Sequence, residues 1–470
     1  MDTDILITDL YELTMLQGYF DSGMNETAVF EFFVRKLPPG RGYLVAAGLE
    51  SVLEYLEQAR FGEPDLAWMR RSGHFSEAFI EHLRDFRFRG DVHAMPEGAV
   101  FFPDEPILRV TAPIDQAQLV ETRIINLLQF SVLAATKAAR CVQAAPDKLL
   151  VDFGLRRAHG AEAGLAAARA SYIAGFDGTS NVAAAARYDI PAYGTMAHSF
   201  VQAHDSEVQS FVNFARAQPH NVVLLIDTYD TEAAARKLGR LAARLSQENI
   251  RIKAVRIDSG DLGEHGHRVR EILDAGGLQE VRIFASGNVD EYRLDELVRS
   301  GVPIDGFGVG TKLNTSADAP YLDCAYKLVE YAGRPRRKLS EKKATRPGRK
   351  QVYRHYDPKG LMRGDTIALE EEAMERVASA AREAAEASSV EPFLQSVMVS
   401  GERVDAPRSL GEIREYHRMQ MQRLPEALLA LDAGDTYSVS VSRALDALGE
   451  QTDADLRRDL AGEAQELGID

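Results

Sequence analysis

The run Pro191-Ala192-Tyr193-Gly194-Thr195-Met196-Ala197-His198-Ser199-Phe200 sets a histidine just beyond a short apolar-aromatic stretch that reads as a buried strand. Imidazole titrates near neutrality and can accept a proton or a phosphoryl group, so His198 is equipped for acid–base or nucleophilic work. A hydrogen-bonded structural histidine would fit the same position. What sets His198 apart is the chemistry gathered at the ends of the neighbouring apolar runs.

Leu149-Leu150-Val151 leads into Asp152-Phe153-Gly154-Leu155-Arg156-Arg157, and Tyr172-Ile173-Ala174 into Gly175-Phe176-Asp177-Gly178-Thr179-Ser180-Asn181. Val222-Val223-Leu224-Leu225-Ile226 leads into Asp227-Thr228-Tyr229-Asp230, and the run at Ile252 into Arg256-Ile257-Asp258-Ser259-Gly260-Asp261. Val281–Phe284 ends in Ala285-Ser286-Gly287-Asn288, and Ile304–Phe307 in Gly308-Val309-Gly310-Thr311-Lys312. Arg156 and Arg256 can hold anions through forked hydrogen bonds. Asp227 and Asp258 can hold hydroxyls, although an aspartate after a strand can equally cap the next helix. Ser286-Gly287 and Gly308-x-Gly310-Thr311 offer glycine-rich backbone suited to a phosphate. The third glycine of a dinucleotide fingerprint is missing, which argues against a Rossmann site.

These runs recur about every 20–30 residues, the size of a β-α unit. Between them lie alanine-rich amphipathic stretches suited to helices: 162–169, 231–245, 267–274 and 291–300. Alternating strands and helices predict a parallel sheet with right-handed crossovers. About seven such units predict an α/β fold built on a closed or nearly closed β/α barrel, with its active site at the carboxyl ends of the strands.

The flanks read differently. Thr8-Asp9-Leu10-Tyr11-Glu12-Leu13 opens a helix, Ala28–Val34 is strand-like, and 91–110 alternates in short runs broken by prolines. Leu119–Ala139 predicts a long apolar helix, and Ala325–Tyr331, Gln351–His355 and Thr366–Leu369 read as strands. This divides the chain into an N-terminal α/β sandwich part (1–140), a barrel (141–325) and a C-terminal part (326–470) that completes the sandwich. Gly333–Lys350 reads as a basic solvated loop, Glu370–Ala387 as a charged helix, and the acidic tail after residue 436 as peripheral.

Net charge of −16 excludes a general nucleic-acid surface and suits a small anionic ligand held locally by arginines. Two cysteines cannot build a disulfide framework or a metal set. No apolar run is long enough to span a bilayer and no leader pattern stands at the N-terminus. A soluble cytoplasmic protein with no membrane partner is expected.

The strand ends resemble a known family. Thr8-Asp9-Leu10-Tyr11, Asp152–Arg157, Gly175–Asn181, Gly194–Phe200, Ile257–Asp261, Ala285–Asn288, Gly308–Thr311, Lys338-Leu339-Ser340 and Pro347–Gln351 are similar to the motifs of nicotinate phosphoribosyltransferases, in the same order. Beyond about residue 354 no motif carries the likeness. The resemblance implies the type II phosphoribosyltransferase fold, an irregular β/α barrel with an α/β sandwich domain. It implies transfer of phosphoribosyl from phosphoribosyl pyrophosphate to nicotinate, with ATP hydrolysis coupled through a phosphohistidine at His198 and with Mg2+. It also implies a homodimer whose active sites lie at the subunit interface. Arg156 is then expected at phosphate or diphosphate, and Arg256 at the pyridine or the ribose diphosphate. Phe153 and Tyr11 are expected on the faces of the ring. His198, Asp258 and Arg256 are the expected catalytic residues, and Thr195, Asp177, Asp227, Ser286, Gly287, Gly308, Gly310 and Thr311 complete the expected substrate contacts.

Other readings stay open at this point. Nicotinamide or quinolinate could replace nicotinate. A barrel aldolase or isomerase would want a strand-end lysine or a metal cluster, and neither Lys253 nor Lys312 is well placed for a Schiff base. A barrel that binds without turnover would not need so many polar strand ends.

Overall fold

The computed structural model describes residues 4–339, 345–377, 379, 388–432 and 436–467. The chain divides into two compact units, one formed by 1–133 with 321–470 and the other by 134–320. The expected Ser340 of the Lys338-Leu339-Ser340 motif and half of the expected 370–387 helix lie outside the described residues.

The unit 134–320 holds a six-stranded sheet in the order Gly178–Thr179, Leu149–Asp152, Gly306–Val309, Arg282–Ala285, Ile252–Ile257, Val222–Leu225. Every neighbouring pair is parallel. An isolated parallel bridge from Thr179 to Ala192 adds one more position beside the first strand. Val151, Leu224, Leu225, Val255, Ile257 and Val309 are wholly buried, as expected of parallel strands covered by helices on their outer side. The intervening helices Ala161–Ile173, Thr231–Ser246, Leu262–Ala275 and Glu291–Arg299 supply that cover.

Two expectations are corrected here. Tyr172 and Ile173 form the last turn of the helix Ala161–Ile173, and the strand in their place is Gly178–Thr179. The segment 191–197 is not a regular strand; beyond the bridge at Ala192 it runs as loop to the short helix His198–Gln202. Pro191 denies the ladder a donor, and Gly194 breaks the run three residues later.

In the other unit, Thr27–Val34 lies between Cys324–Tyr331 and Pro106–Pro113, both antiparallel to it. Asp91–Ala94 and Gln395–Val399 extend this sheet. A second sheet runs Ser389–Pro392, Lys350–Tyr356, Met362–Leu369, Val439–Val441. Its centre holds Arg354, fully buried, ion-paired to Asp365 at 2.6 Å and stacked 4.1 Å from the Phe393 ring. The start of the acidic tail is therefore built into the fold: Val439–Val441 pairs with Asp365–Ile367, and Leu445 is buried beside it. The long apolar helix spans Glu121–Ala144. No helix among the described residues is long and apolar enough to cross a membrane.

Candidate active site

The carboxyl ends of the parallel strands surround a cavity of about 590 Å³. Phe153, Arg156, Thr195, Arg256, Asp258, Ser286, Gly287, Gly308, Gly310 and Thr311 all line it. Residues brought together from widely separated stretches thus share one concave surface, with three arginines because Arg157 joins the other two. Phe153 sits over Gly308, where even a Cβ would come within 2.5 Å of the ring. Glycine there is a packing requirement of the aromatic floor. Gly287, at φ +102°, has the left-handed backbone that only glycine adopts cheaply, and a Cβ would collide with Asp258 O at 2.2 Å.

Arg256 is the centre of the arrangement. Its Nη1 donates to Thr195 Oγ1 at 2.7 Å and to the Met196 carbonyl at 3.2 Å. Its Nη2 lies 3.6 Å from Asp258 Oδ1, and the guanidinium stands 5.8 Å from the Phe153 ring centre. Nε is buried with no hydrogen-bond partner among the described residues. Burial pulls the guanidinium below its usual pKa, while Asp258 and Asp227 oppose that pull. An arginine held this way keeps its plane fixed and has donor capacity left for a ligand.

The aspartates divide cleanly between capping and site. Asp230, Asp261 and Asp290 cap the helices that follow them. Asp258 and Asp227 do not. Asp258 accepts the Ser286 hydroxyl in a short hydrogen bond, and its other oxygen lies 3.8 Å from His198 Nε2. Asp227 Oδ2 accepts the Asp258 N–H at 2.9 Å and the Ser259 hydroxyl at 2.6 Å. Its Oδ1 is buried with no partner among the described residues. His198 stands beside the cavity, joined to it through Asp258, with its Nδ1 3.1 Å from Thr228 Oγ1.

Asp177 is placed elsewhere. It precedes the strand Gly178–Thr179 and accepts the Leu150 N–H at 2.9 Å, at the amino ends of the strands. Ser180, just past that strand, lines the cavity in its stead, as do Arg157 and Asn288. Both Ser180 and Arg157 stand inside motifs visible in the sequence, so the signal for them was present. Tyr11 belongs to the other unit, on the helix Leu10–Asp21, with 48% of its surface exposed. Among the described residues no group of three His, Cys, Asp or Glu is poised to hold a metal ion. A second cavity, also about 590 Å³, opens among the strand starts and shares Phe153, Gly194 and Thr195 with the first.

Parallel strands whose carboxyl ends gather arginines, carboxylates and glycine-rich loops define an α/β enzyme for a phosphorylated anionic substrate. Comparison with known families makes this specific. Residues 6–129 match the nicotinate phosphoribosyltransferase N-terminal domain, 149–351 the nicotinate phosphoribosyltransferase family, and 349–448 its C-terminal domain. This chain belongs to the nicotinate phosphoribosyltransferase family. It is 49% identical over 440 residues to the nicotinate phosphoribosyltransferase pncB2 of Mycobacterium tuberculosis, covering 93% of this chain and 91% of that one. It is 41% identical over 379 residues to the Bacillus subtilis nicotinate phosphoribosyltransferase, covering 79% and 77%. The crystal structure of human nicotinic acid phosphoribosyltransferase superposes with a TM-score of 0.83 at 29% identity, covering 94% of this chain and 99% of the human one.

Proposed function

We propose that this protein transfers the phosphoribosyl group of phosphoribosyl pyrophosphate to nicotinate, giving nicotinate mononucleotide and pyrophosphate in NAD salvage. The observation that carries this reading is the meeting of Phe153, Arg256, Asp258 and the two glycine-rich loops in one cavity. The ring nitrogen of nicotinate forms a bond to the ribose C1 while the bond from C1 to the diphosphate oxygen breaks, and the leaving electron pair goes to pyrophosphate. The sugar becomes cationic and the diphosphate gains charge. Arg156 and Arg157 suit the growing negative charge, and the Ser286-Gly287 and Gly308–Thr311 backbones suit the phosphate groups. Phe153 offers an aromatic face to the pyridine, and Arg256 beside it suits the nicotinate carboxylate or the ribose diphosphate.

ATP hydrolysis drives the transfer in this reading, with His198 receiving the γ-phosphoryl group from ATP and water later removing it. Mg2+ is the expected ion. Asp227 and Asp258 fit it, being hard oxygen donors from adjacent strand ends, and Asp227 Oδ1 is buried without a partner among the described residues. When bound there, it would supply positive charge to phosphate oxygens. The parallel sheet, with the Ala192 bridge as a further position, is read as the irregular barrel of type II phosphoribosyltransferases. We place the protein in the cytoplasm, as a homodimer whose Tyr11 completes the site of the partner subunit.

The decisive experiment is a product assay with phosphoribosyl pyrophosphate and, in parallel, nicotinate, nicotinamide or quinolinate, each with and without ATP. Nicotinate mononucleotide formed faster with ATP is expected. Turnover of nicotinamide or quinolinate in preference to nicotinate would overturn the substrate, and indifference to ATP would overturn the coupling.

A further inference from the structure

Asp152 is a carboxylate that neither helix capping nor direct contact with the cavity explains. It ends the strand Leu149–Asp152 and is 1% exposed. Its Oδ1 accepts the Gly154 N–H at 2.9 Å and the Asn314 Nδ2–H at 2.7 Å, and its Oδ2 accepts the Thr179 hydroxyl at 2.7 Å. Burial raises its pKa, and these three donors oppose the rise. A carboxylate in such a place is costly unless fully hydrogen-bonded, so its neighbours are a matched set.

The three donors come from three different segments, and each segment presents residues to the cavity. The Gly154 turn carries Phe153 and Arg156, Thr179 leads to Ser180, and Asn314 ends the short helix that begins at Thr311. Contacts between the first and third of these are as close as atoms allow. A Cβ on Gly154 would lie 1.9 Å from Asn314 Nδ2, and one on Gly310 would lie 3.0 Å from the Phe153 carbonyl oxygen. The Phe153 N–H in turn donates to the Val309 carbonyl at 2.8 Å. The aromatic turn and the strand-to-helix segment 308–314 are thus interlocked, and the Asp152–Asn314 hydrogen bond spans the join.

We propose that Asp152 and Asn314 are positioning residues that lock the Phe153 ring to the Gly308–Thr311 segment, where strand gives way to helix, so that the pyridine and phosphate sides of the site are set as one piece. This rests on the reading above that Phe153 faces the pyridine. Neither residue touches substrate; both act through Phe153 and that segment.

The test compares Asp152→Asn, Asn314→Ala, the double variant and Phe153→Leu, each checked for folding by circular dichroism and thermal unfolding. Asp152→Asn keeps size while removing the charge, and Asn314→Ala serves alone should that variant fail to fold. Positioning predicts that the KM for nicotinate rises roughly 10- to 100-fold in each single variant, the scale of a displaced catalytic group. It also predicts that the double variant is no worse than the more severe single, since the two residues act as one unit. A purely structural role would lower the active fraction, and so kcat, with both KM values unchanged; that result in variants of Asp152 and Asn314, alongside a raised nicotinate KM in Phe153→Leu, overturns the proposal. An unchanged nicotinate KM in Phe153→Leu itself, with the other variants raised, points instead to failure of the Phe153 assignment.

Discussion

His198 Nδ1 lies 3.1 Å from Thr228 Oγ1, which leaves Nε2 facing Asp258 Oδ2 at 3.8 Å. The ring is therefore held between a hydroxyl, which serves either tautomer, and a carboxylate that stabilises it when positively charged. With 37% of its side chain exposed, the histidine can be reached by a nucleotide from solvent. On the phosphohistidine reading, His198→Asn abolishes ATP hydrolysis and the stimulation of transfer by ATP. A slower ATP-independent transfer survives, because none of the cavity-lining residues has changed. Release of ADP measured beside nicotinate mononucleotide checks this: continued hydrolysis in step with product would exclude the role.

Arg256 makes a different prediction, because its value lies in the shape of the guanidinium. Two of its nitrogens are already committed to Thr195, Met196 and Asp258, and Nε is buried with no partner among the described residues. Lysine at this position keeps the charge and loses the fork. A lost charge-assisted hydrogen bond costs about 1.5–3 kcal/mol, so Arg256→Lys should weaken one substrate by about tenfold or more. Separate KM values for nicotinate and phosphoribosyl pyrophosphate decide which. No change in either would make the arginine structural.

Much of this site was legible because polar residues follow apolar runs at the spacing of β-α units, and that spacing fixes which end of each strand they occupy. Where the reading failed, the reason was local. An apolar run as short as Tyr172-Ile173-Ala174 cannot separate the last turn of a helix from a strand, and placing the strand there put Asp177 at the wrong end. With the strand at Gly178–Thr179, Asp177 precedes it and Ser180 follows it. The interlock of Gly154 with Asn314 left no trace of this kind. It joins positions far apart in the chain, and neither glycine nor asparagine signals a close approach by type alone. The tail strand Val439–Val441 was hidden for a related reason: it is short, and its pairing with Asp365–Ile367 is non-local.

Glu12 carries a pH dependence. It is wholly buried on the helix that bears Tyr11, with Oε2 accepting Gln118 Nε2 at 2.8 Å and Oε1 unpartnered among the described residues. The same amide nitrogen donates to Glu121 Oε2 at 3.1 Å, while Glu121 Oε1 meets Lys327 Nζ at 3.1 Å. Burial is the main cause that lifts the Glu12 pKa from 4.5 to about 7; Gln118 opposes it and Glu121 adds to it. A raised pKa means that the folded state prefers the proton. The stability from this group is complete below its unfolded pKa near 4.5 and is lost as pH climbs through about 7. Compared with Glu12→Gln, the wild-type Tm should therefore fall by a few degrees between pH 5 and 8, on the order of 3 °C. Parallel Tm profiles for the two proteins would show that Glu12 is not protonated in the folded state.

Tyr11 tests the quaternary proposal. Its phenol, pushed up to about 12 mainly by burial and by Glu12, stays neutral at working pH, and Tyr11 and Leu10 are each about half exposed. An exposed aromatic beside an exposed leucine suits a surface that another subunit covers. A closed two-fold dimer would then contain two identical composite sites. Tyr11→Ala chains and His198→Ala chains, each inactive for ATP-driven transfer, can be combined by co-expression and the mixed dimers purified through different tags. If Tyr11 serves the partner subunit, one of the two sites in each mixed dimer has both residues intact, so the purified mixed dimers regain about half of wild-type activity, and the unfractionated, randomly paired mixture about a quarter. If Tyr11 serves its own subunit, every site in the mixed dimer lacks one of the two. Verified mixed dimers as inactive as their parents would therefore place Tyr11 outside any shared site.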